Sequence, residues 1–193
     1  MPKKAIILSA IVVLLLGVAA YMQFLAPATV DTAIKPYLKG EMAKLSLPEG
    51  EQKLSDHIIM REDGSPVALN ELSGKAMLIN LWAPWCAPCR AEMKELAHLQ
   101  KLLGDDTFEV VAINVNRGGI GEARETLKEW GVEGLGLYAE PTMKIAIDLA
   151  QGRLPTSLVV DRSGVVRALY LGPLKWDEPE SIELFTALKN NEL

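Results

Sequence analysis

The residues Ala76-Met77-Leu78-Ile79-Asn80-Leu81-Trp82 form a nearly unbroken apolar run that stops at Ala83-Pro84. A run this short and this apolar reads as a strand covered on both faces, which demands helices above and below it. The period then changes. Cys89, Met93, Leu96, Leu99 and Leu103 recur every three or four residues, the stripe of an amphipathic helix, and Gly104 offers it a stop. Between strand and helix stands Trp85-Cys86-Ala87-Pro88-Cys89-Arg90, which holds the only two cysteines of the 193 residues.

Two cysteines at this spacing can be a redox dithiol, a structural bridge or half of a metal site. A bridge closing so small a loop removes little entropy from the unfolded chain. A zinc site takes about four ligands, and only His57 and His98 remain to supply nitrogen. No metal is expected. A thiol at a helix N-terminus is instead acidified by unpaired N–H groups and the helix dipole, which favours the redox reading. Pro88 falls in the first turn of that helix, where its missing N–H costs nothing.

Strand and helix patterns alternate along the rest of the chain. His57–Arg61 and Val67–Leu69 read as a hairpin around Asp63-Gly64, and Phe108–Val115 as a second buried strand. Gly119–Trp130 reads as a helix closed by Gly131, Leu135–Tyr138 as a short strand and Pro141–Leu149 as a helix. Thr156–Asp161 and Val165–Leu171 are strands joined by Arg162-Ser163-Gly164. Asp177 is placed to cap a last helix that carries Ile182, Phe185 and Leu188. The pattern predicts an α/β fold with a mixed central sheet flanked by helices and preceded by a hairpin.

The N-terminus has a different character. Lys3 and Lys4 precede an uncharged run from Ala5 to Ala26, which as a helix would span about 33 Å, enough for a bilayer core. The expected organisation is a cytoplasmic stub at 1–4, a transmembrane signal anchor at 5–26, a tether at 27–52 and a globular domain at 53–193. The two lysines would hold the first end inside, giving a single-pass protein of the bacterial inner membrane with its domain in the periplasm. A cleaved secretory signal, cut near Ala20 or Ala28, is the alternative. Formal net charge is −5, and no basic patch with interleaved aromatics suggests a nucleic-acid partner.

Trp82-x-x-Trp85-Cys86-x-Pro88-Cys89-Arg90 after an apolar strand, together with Leu154-Pro155-Thr156-Ser157 before a later one, resembles the thioredoxin superfamily. Asn80-Leu81-Trp82 and Glu92-Met93 are similar to its membrane-anchored TlpA/ResA/CcmG branch. Val111-Ala112-Ile113-Asn114 and Gly172-Pro173 are most similar to its TlpA-like members. The resemblance covers roughly residues 53–190. It implies a thioredoxin-like fold and a thiol:disulfide oxidoreductase whose redox group is a Cys86–Cys89 disulfide, with no other cofactor. Cys86 would be the partly exposed nucleophile, and Cys89, one turn in, the resolving thiol. Pro155 would be a cis proline beside the pair, with Leu154 to Thr156 contacting an extended segment of the partner.

Further roles follow from the same resemblance. Trp82 is expected in the core beneath the loop and Trp85 as an exposed contact for partners. Arg90 would either support the thiolate or be a solvated helix residue. Glu92 is expected at the surface, with a proton relay as the alternative. Thioredoxins proper carry a buried aspartate where this chain has Asn80, which cannot take a proton. No internal carboxylate is therefore expected to set the Cys89 titration, and water, Glu92 or a partner's carboxylate remain as bases.

Ala87-Pro88 lacks the histidine of strongly oxidising relatives and leans the pair towards reduction. The implied clients are cysteine pairs in an oxidase copper-site subunit, a copper chaperone or an apocytochrome c. Electrons would come from a membrane thiol transporter of the CcdA or DsbD type. A general disulfide oxidase or isomerase, and a metallochaperone without enzymatic function, are the remaining alternatives.

Overall fold

A computed structural model of the protein describes residues 33–193. Eight strands form one mixed sheet. They are β1 (Gln52–Lys53), β2 (Ile58–Arg61), β3 (Pro66–Ala68), β4 (Ala76–Trp82), β5 (Phe108–Asn114), β6 (Gly136–Ala139), β7 (Thr156–Val160) and β8 (Val165–Leu171). Four helices accompany them: α1 (Ala87–Leu103), α2 (Gly119–Trp130), α3 (Lys144–Ala150) and α4 (Pro179–Lys189). The strand order is β1-β8-β7-β4-β5-β6-β2-β3. Strands β4, β5 and β6 run parallel, and the other pairs are antiparallel.

The central position of β4 follows from its composition. All seven of its residues are buried, and its side chains divide by period two between two cores. Ala76, Leu78 and Trp82 join the layer under α1 and α4. Met77, Ile79 and Leu81 join the layer under α3 and the hairpin. Strand β5 repeats the division, with Phe108, Val110 and Ala112 on the first side and Val111 and Ile113 on the second. Asn80 lies between Leu78 and Trp82 in the alternation, so it faces α1.

The boundaries match the sequence pattern closely, with three instructive differences. Helix α3 begins at Lys144 rather than near Pro141, because Glu140 folds back over its first turn. One Glu140 oxygen accepts from Ile145 N at 3.1 Å and the other from Thr142 N at 2.9 Å. Asp177 does not cap α4, whose N-cap residue is Glu178. Its carboxylate is committed instead to His98 Nδ1 at 2.9 Å. Gly104 ends α1 in an extended conformation (φ −62°) rather than a left-handed one.

The expected tether at 27–52 is corrected in its described part. Ile34 and Met42 have no exposed surface and Leu45 has 6%, all within the core under α1 and α4. Ser46 and Leu169 exchange backbone hydrogen bonds, and Gln52–Lys53 pairs with β8. Scattered apolar residues without a period gave no sign of this in the sequence.

The expected single-pass inner-membrane location is also corrected: among the described residues no helix is long and apolar enough to cross a membrane. The longest described helix, α1, has 17 residues and carries Arg90, Lys94 and Lys101 on its outer side. The 1–4 stub and the 5–26 segment, on which the expectation rested, lie outside the described residues.

Candidate active site

Strand β4 delivers the cysteine pair to the N-terminus of α1. Cys86 is the N-cap residue, and its Sγ accepts the backbone N–H of Cys89 at 3.2 Å. Cys86 and Cys89 are joined in a disulfide with Cα atoms 5.3 Å apart. Cys86 keeps 4% of its surface and Cys89 none, so only the first sulfur can be approached from outside. Pro88 lies in the first turn of α1, as the absence of a donor allows.

The Leu154–Pro155 peptide is cis, and Pro155 is buried at the entrance to β7. Thr156 pairs with Leu81, and Ser157 with Asn80, across the β4–β7 ladder. The cis proline thus stands beside the strand end that carries the cysteines. Leu154 is half-buried and touches both core layers. The Thr156 hydroxyl donates to the Arg153 carbonyl at 2.8 Å, so it stabilises the loop rather than pointing to a ligand.

The two tryptophans differ in burial. Trp82 is fully buried and packs on Trp130 with ring centroids 5.4 Å apart. Trp85 is 62% exposed, and its indole Nε1 donates to Asn116 Oδ1 at 3.1 Å. Arg90 is exposed, and its guanidinium lies 5.9 Å from the centroid of Trp130. The geometry gives it an aromatic partner.

The surface placement of Glu92 is overturned. Glu92 keeps 1% of its surface and lies on the buried stripe of α1 with Cys89, Met93, Leu96 and Leu99. The intervals from Cys89 to Glu92 to Leu96 are three and four, a helical signal that was present in the sequence. Its carboxylate is served by three donors, one from β4 and two from the connection between β8 and α4. Asn80 Nδ2 reaches Oε1 at 2.7 Å, while Leu174 N and Trp176 Nε1 each reach Oε2 at 3.0 Å. Burial pushes the carboxyl up to about 7 against the opposing pull of these donors. Asn80 Nδ2 also donates to Ser157 Oγ at 3.0 Å, while its Oδ1 is buried without a partner among the described residues. A pocket of about 320 Å³ lined by Glu41, Lys44, Glu95 and Pro173 opens onto Glu92.

Three other polar residues near the site carried no signal. Asn114 ends the buried strand β5 and Asn116 follows it, both reading as ordinary strand-end residues, and Trp176 lies in an irregular segment. Among the described residues no group of three His, Cys, Asp or Glu side chains could hold a metal. His57 is tied to Ser55 and Asp148 and His98 to Asp177.

An α/β sheet with a helix-capping dithiol next to a cis proline defines a thioredoxin-like redox domain. The chain belongs to the Redoxin family, whose model matches residues 46–184. It is 35% identical over 104 residues to the thiol:disulfide interchange protein HelX of Rhodobacter capsulatus, covering 54% of this chain and 56% of that one. It is 30% identical over 145 residues to the thioredoxin-like protein YneN of Bacillus subtilis, covering 71% and 79%. The thiol-disulfide oxidoreductase ResA of Bacillus thuringiensis is 26% identical over 110 residues, covering 57% and 62%. The chain thus spans less than two thirds of the length of HelX and of this ResA. Among solved structures, a thiol:disulfide interchange protein DsbE from Chlorobium tepidum superposes with a TM-score of 0.63 at 25% identity, covering 75% of this chain and 99% of that one. These relatives put the chain in the TlpA/ResA/CcmG branch of the thioredoxin superfamily.

Proposed function

We propose that the protein is a thiol:disulfide oxidoreductase that reduces cysteine pairs in client proteins. The observation that carries this reading is the asymmetry of the pair, with Cys86 Sγ at the helix N-cap accepting the Cys89 N–H and Cys89 fully buried behind it. In the reduced protein the same N–H and the helix dipole favour a Cys86 thiolate. That thiolate attacks one sulfur of the client disulfide, and the other client sulfur leaves as a thiolate. The Cys89 thiolate then attacks Cys86 Sγ, the client's second sulfur leaves, and two electrons have passed to the client.

Each departing client thiolate takes up a proton, and Cys89 must lose one. Glu92 supports this loss. It follows Cys89 by three residues on the same helix face, a spacing that brings Cβ atoms to about 5–6 Å. Its carboxyl, raised to about 7 by burial, is poised to accept and release a proton near neutral pH. The client's backbone is taken to lie along Leu154–Thr156 as an added strand, with Trp85 as its apolar contact.

The direction of electron flow rests on Ala87-Pro88, which offers a Cys86 thiolate no histidine. Similarity to the thiol-disulfide oxidoreductase ResA favours the haem-attachment cysteines of an apocytochrome c as client, a role the branch resemblance implies. The copper-site cysteines of an oxidase subunit or its chaperone are the second reading, favoured by the TlpA-like segments 111–114 and 172–173. Electrons would come from a thiol transporter of the CcdA or DsbD type. The equilibrium reduction potential against glutathione or dithiothreitol tests the direction. A value near about −250 mV supports the reductase, and one near about −120 mV overturns it. A Cys89→Ser variant should hold its client as a mixed disulfide on Cys86, which names the client.

A further inference from the structure

Trp85 is exposed but tethered. Its Nε1–H donates to Asn116 Oδ1 at 3.1 Å, and Asn116 lies in the loop between β5 and α2, a separate part of the chain. The Asn116 amide is committed on its other side as well, because Nδ2 donates to Glu122 Oε2 at 2.7 Å. Its backbone N–H donates to Asn114 Oδ1 at 3.0 Å, and Asn114 Nδ2 donates to the Gly119 carbonyl at 3.0 Å. Asn114 has no exposed surface, so the chain of hydrogen bonds is rooted in the core.

The donor and acceptor inventory explains the residue types. An ionised Glu122 can only accept, so it draws the NH₂ side of the Asn116 amide to itself and leaves Oδ1 facing the indole. An asparagine serves both neighbours at once. An aspartate would set a carboxylate against Glu122, and an alanine would leave the indole N–H to water.

We propose that Asn116 is a positioning residue for Trp85, with Glu122 fixing the orientation of its amide, and that the three make a rigid aromatic platform beside Cys86 on which client polypeptide packs as the mixed disulfide forms. This deepens the exchange reading above and rests on it. An aromatic side chain already held in place loses little freedom when a partner settles on it, so the tether should act through client affinity more than through the chemistry of the sulfur.

The test uses the reduced full chain and, as probe, a synthetic peptide of extended sequence whose single cysteine is activated with thionitrobenzoate. Asn116→Ala and Trp85→Ala should each raise the half-saturating peptide concentration, the former by about fivefold as expected for one lost hydrogen bond. The Trp85→Ala/Asn116→Ala double variant should be no worse than Trp85→Ala alone. Full additivity of the two would overturn the proposal. Glu122→Gln should fall between wild type and Asn116→Ala.

Time-resolved fluorescence anisotropy supplies the second readout. Of the other three tryptophans, Trp82 and Trp176 are buried and Trp130 is half-buried, and the Trp85 contribution is obtained by difference against Trp85→Phe. Asn116→Ala should add fast local depolarisation to Trp85, and an unchanged decay would sink the positioning role even if peptide kinetics changed. A wild-type protein that does not react with the activated peptide would refute the exchange reading and the platform's purpose together, while the anisotropy would still report whether Asn116 holds Trp85.

Discussion

Asn80 donates through Nδ2 to Glu92 Oε1 across 2.7 Å, in the buried layer between β4 and α1 that also encloses Cys89. The contact joins the residue that stands where thioredoxins proper have an aspartate to a carboxyl on the next helix. The ionisable group at this depth has moved from strand to helix. The expectation that no internal carboxylate sets the Cys89 titration rested on Asn80 together with a surface position for Glu92, and the burial of Glu92 removes the second ground.

Stability should record this carboxyl. Its pKa in the folded protein, about 7, lies above the ordinary 4.5 because burial disfavours the charge. Between these values the folded state keeps a proton that the unfolded chain has released. The contribution is therefore fully present below about pH 4.5 and is lost as pH rises through 7, by an order of magnitude of about 3 kcal/mol. Urea denaturation of wild type and Glu92→Gln from pH 4 to 8 isolates it. The variant should be less stable at pH 4.5, because one amide oxygen cannot serve three donors, and the gap should shrink or reverse by pH 8. A gap that does not vary with pH would exclude Glu92 as the titrating group.

Asn80→Asp should behave in the opposite sense to a conservative change. It sets a second carboxyl at hydrogen-bond distance from Glu92, and two like charges that close cannot both ionise. The pair should share a proton and fold near normally at pH 5. At pH 8 the variant should lose a further amount of about 1–3 kcal/mol relative to wild type. Chemical denaturation at the two pH values checks it, and equal losses at both would show that lost hydrogen-bond geometry, not charge, governs the position.

Much of this was legible because its physics is local. Seven buried residues of β4, the 3.6-residue stripe of α1 and the left-handed Gly131 after α2 each follow from a short window. The cis Leu154–Pro155 bond and the inward Trp82 came instead from resemblance. What remained hidden depends on distant segments. Glu92 becomes a core residue because Leu174 N and Trp176 Nε1, more than 80 positions away, point donors at it. Its interval from Cys89 marked the face, and a carboxylate on an apolar stripe was discounted without partners to satisfy it. Asp177 had a capping position and a histidine across the fold, and the histidine won.

The N-terminal segment should be as costly to disturb as the sheet. Met42 is fully buried among the residues under α1 and α4, and the short 3₁₀ turn Gly40–Lys44 packs on α4. Glu41 N donates to Glu180 Oε1 at 2.8 Å, and Gly40 has φ +51° with Glu180 where a Cβ would lie. Met42→Ala should cost about 2–5 kcal/mol, the range for emptying a core site of this size. A loss under about 0.5 kcal/mol in urea denaturation, typical of exposed sites, would return residues 33–47 to the status of a tether.

Arg90 follows the cysteine pair, and the alternative left open for it was support of the Cys86 thiolate. Its guanidinium instead lies over Trp130, 5.9 Å from the ring centroid, and Trp130 in turn packs on Trp82. An exposed cation over an aromatic face contributes about 0.5–1 kcal/mol, so Arg90→Ala should lower stability by that amount. Thiolate acidity should instead come from the helix N-terminus, through the Cys89 N–H that reaches Cys86 Sγ at 3.2 Å. The Cys86 titration, followed by thiolate absorbance in the reduced Cys89→Ser protein, should then move by less than about half a pH unit in Arg90→Ala. A rise of about one unit or more, equivalent to about 1.4 kcal/mol, would mean that the guanidinium leaves Trp130 for the thiolate once the disulfide is reduced.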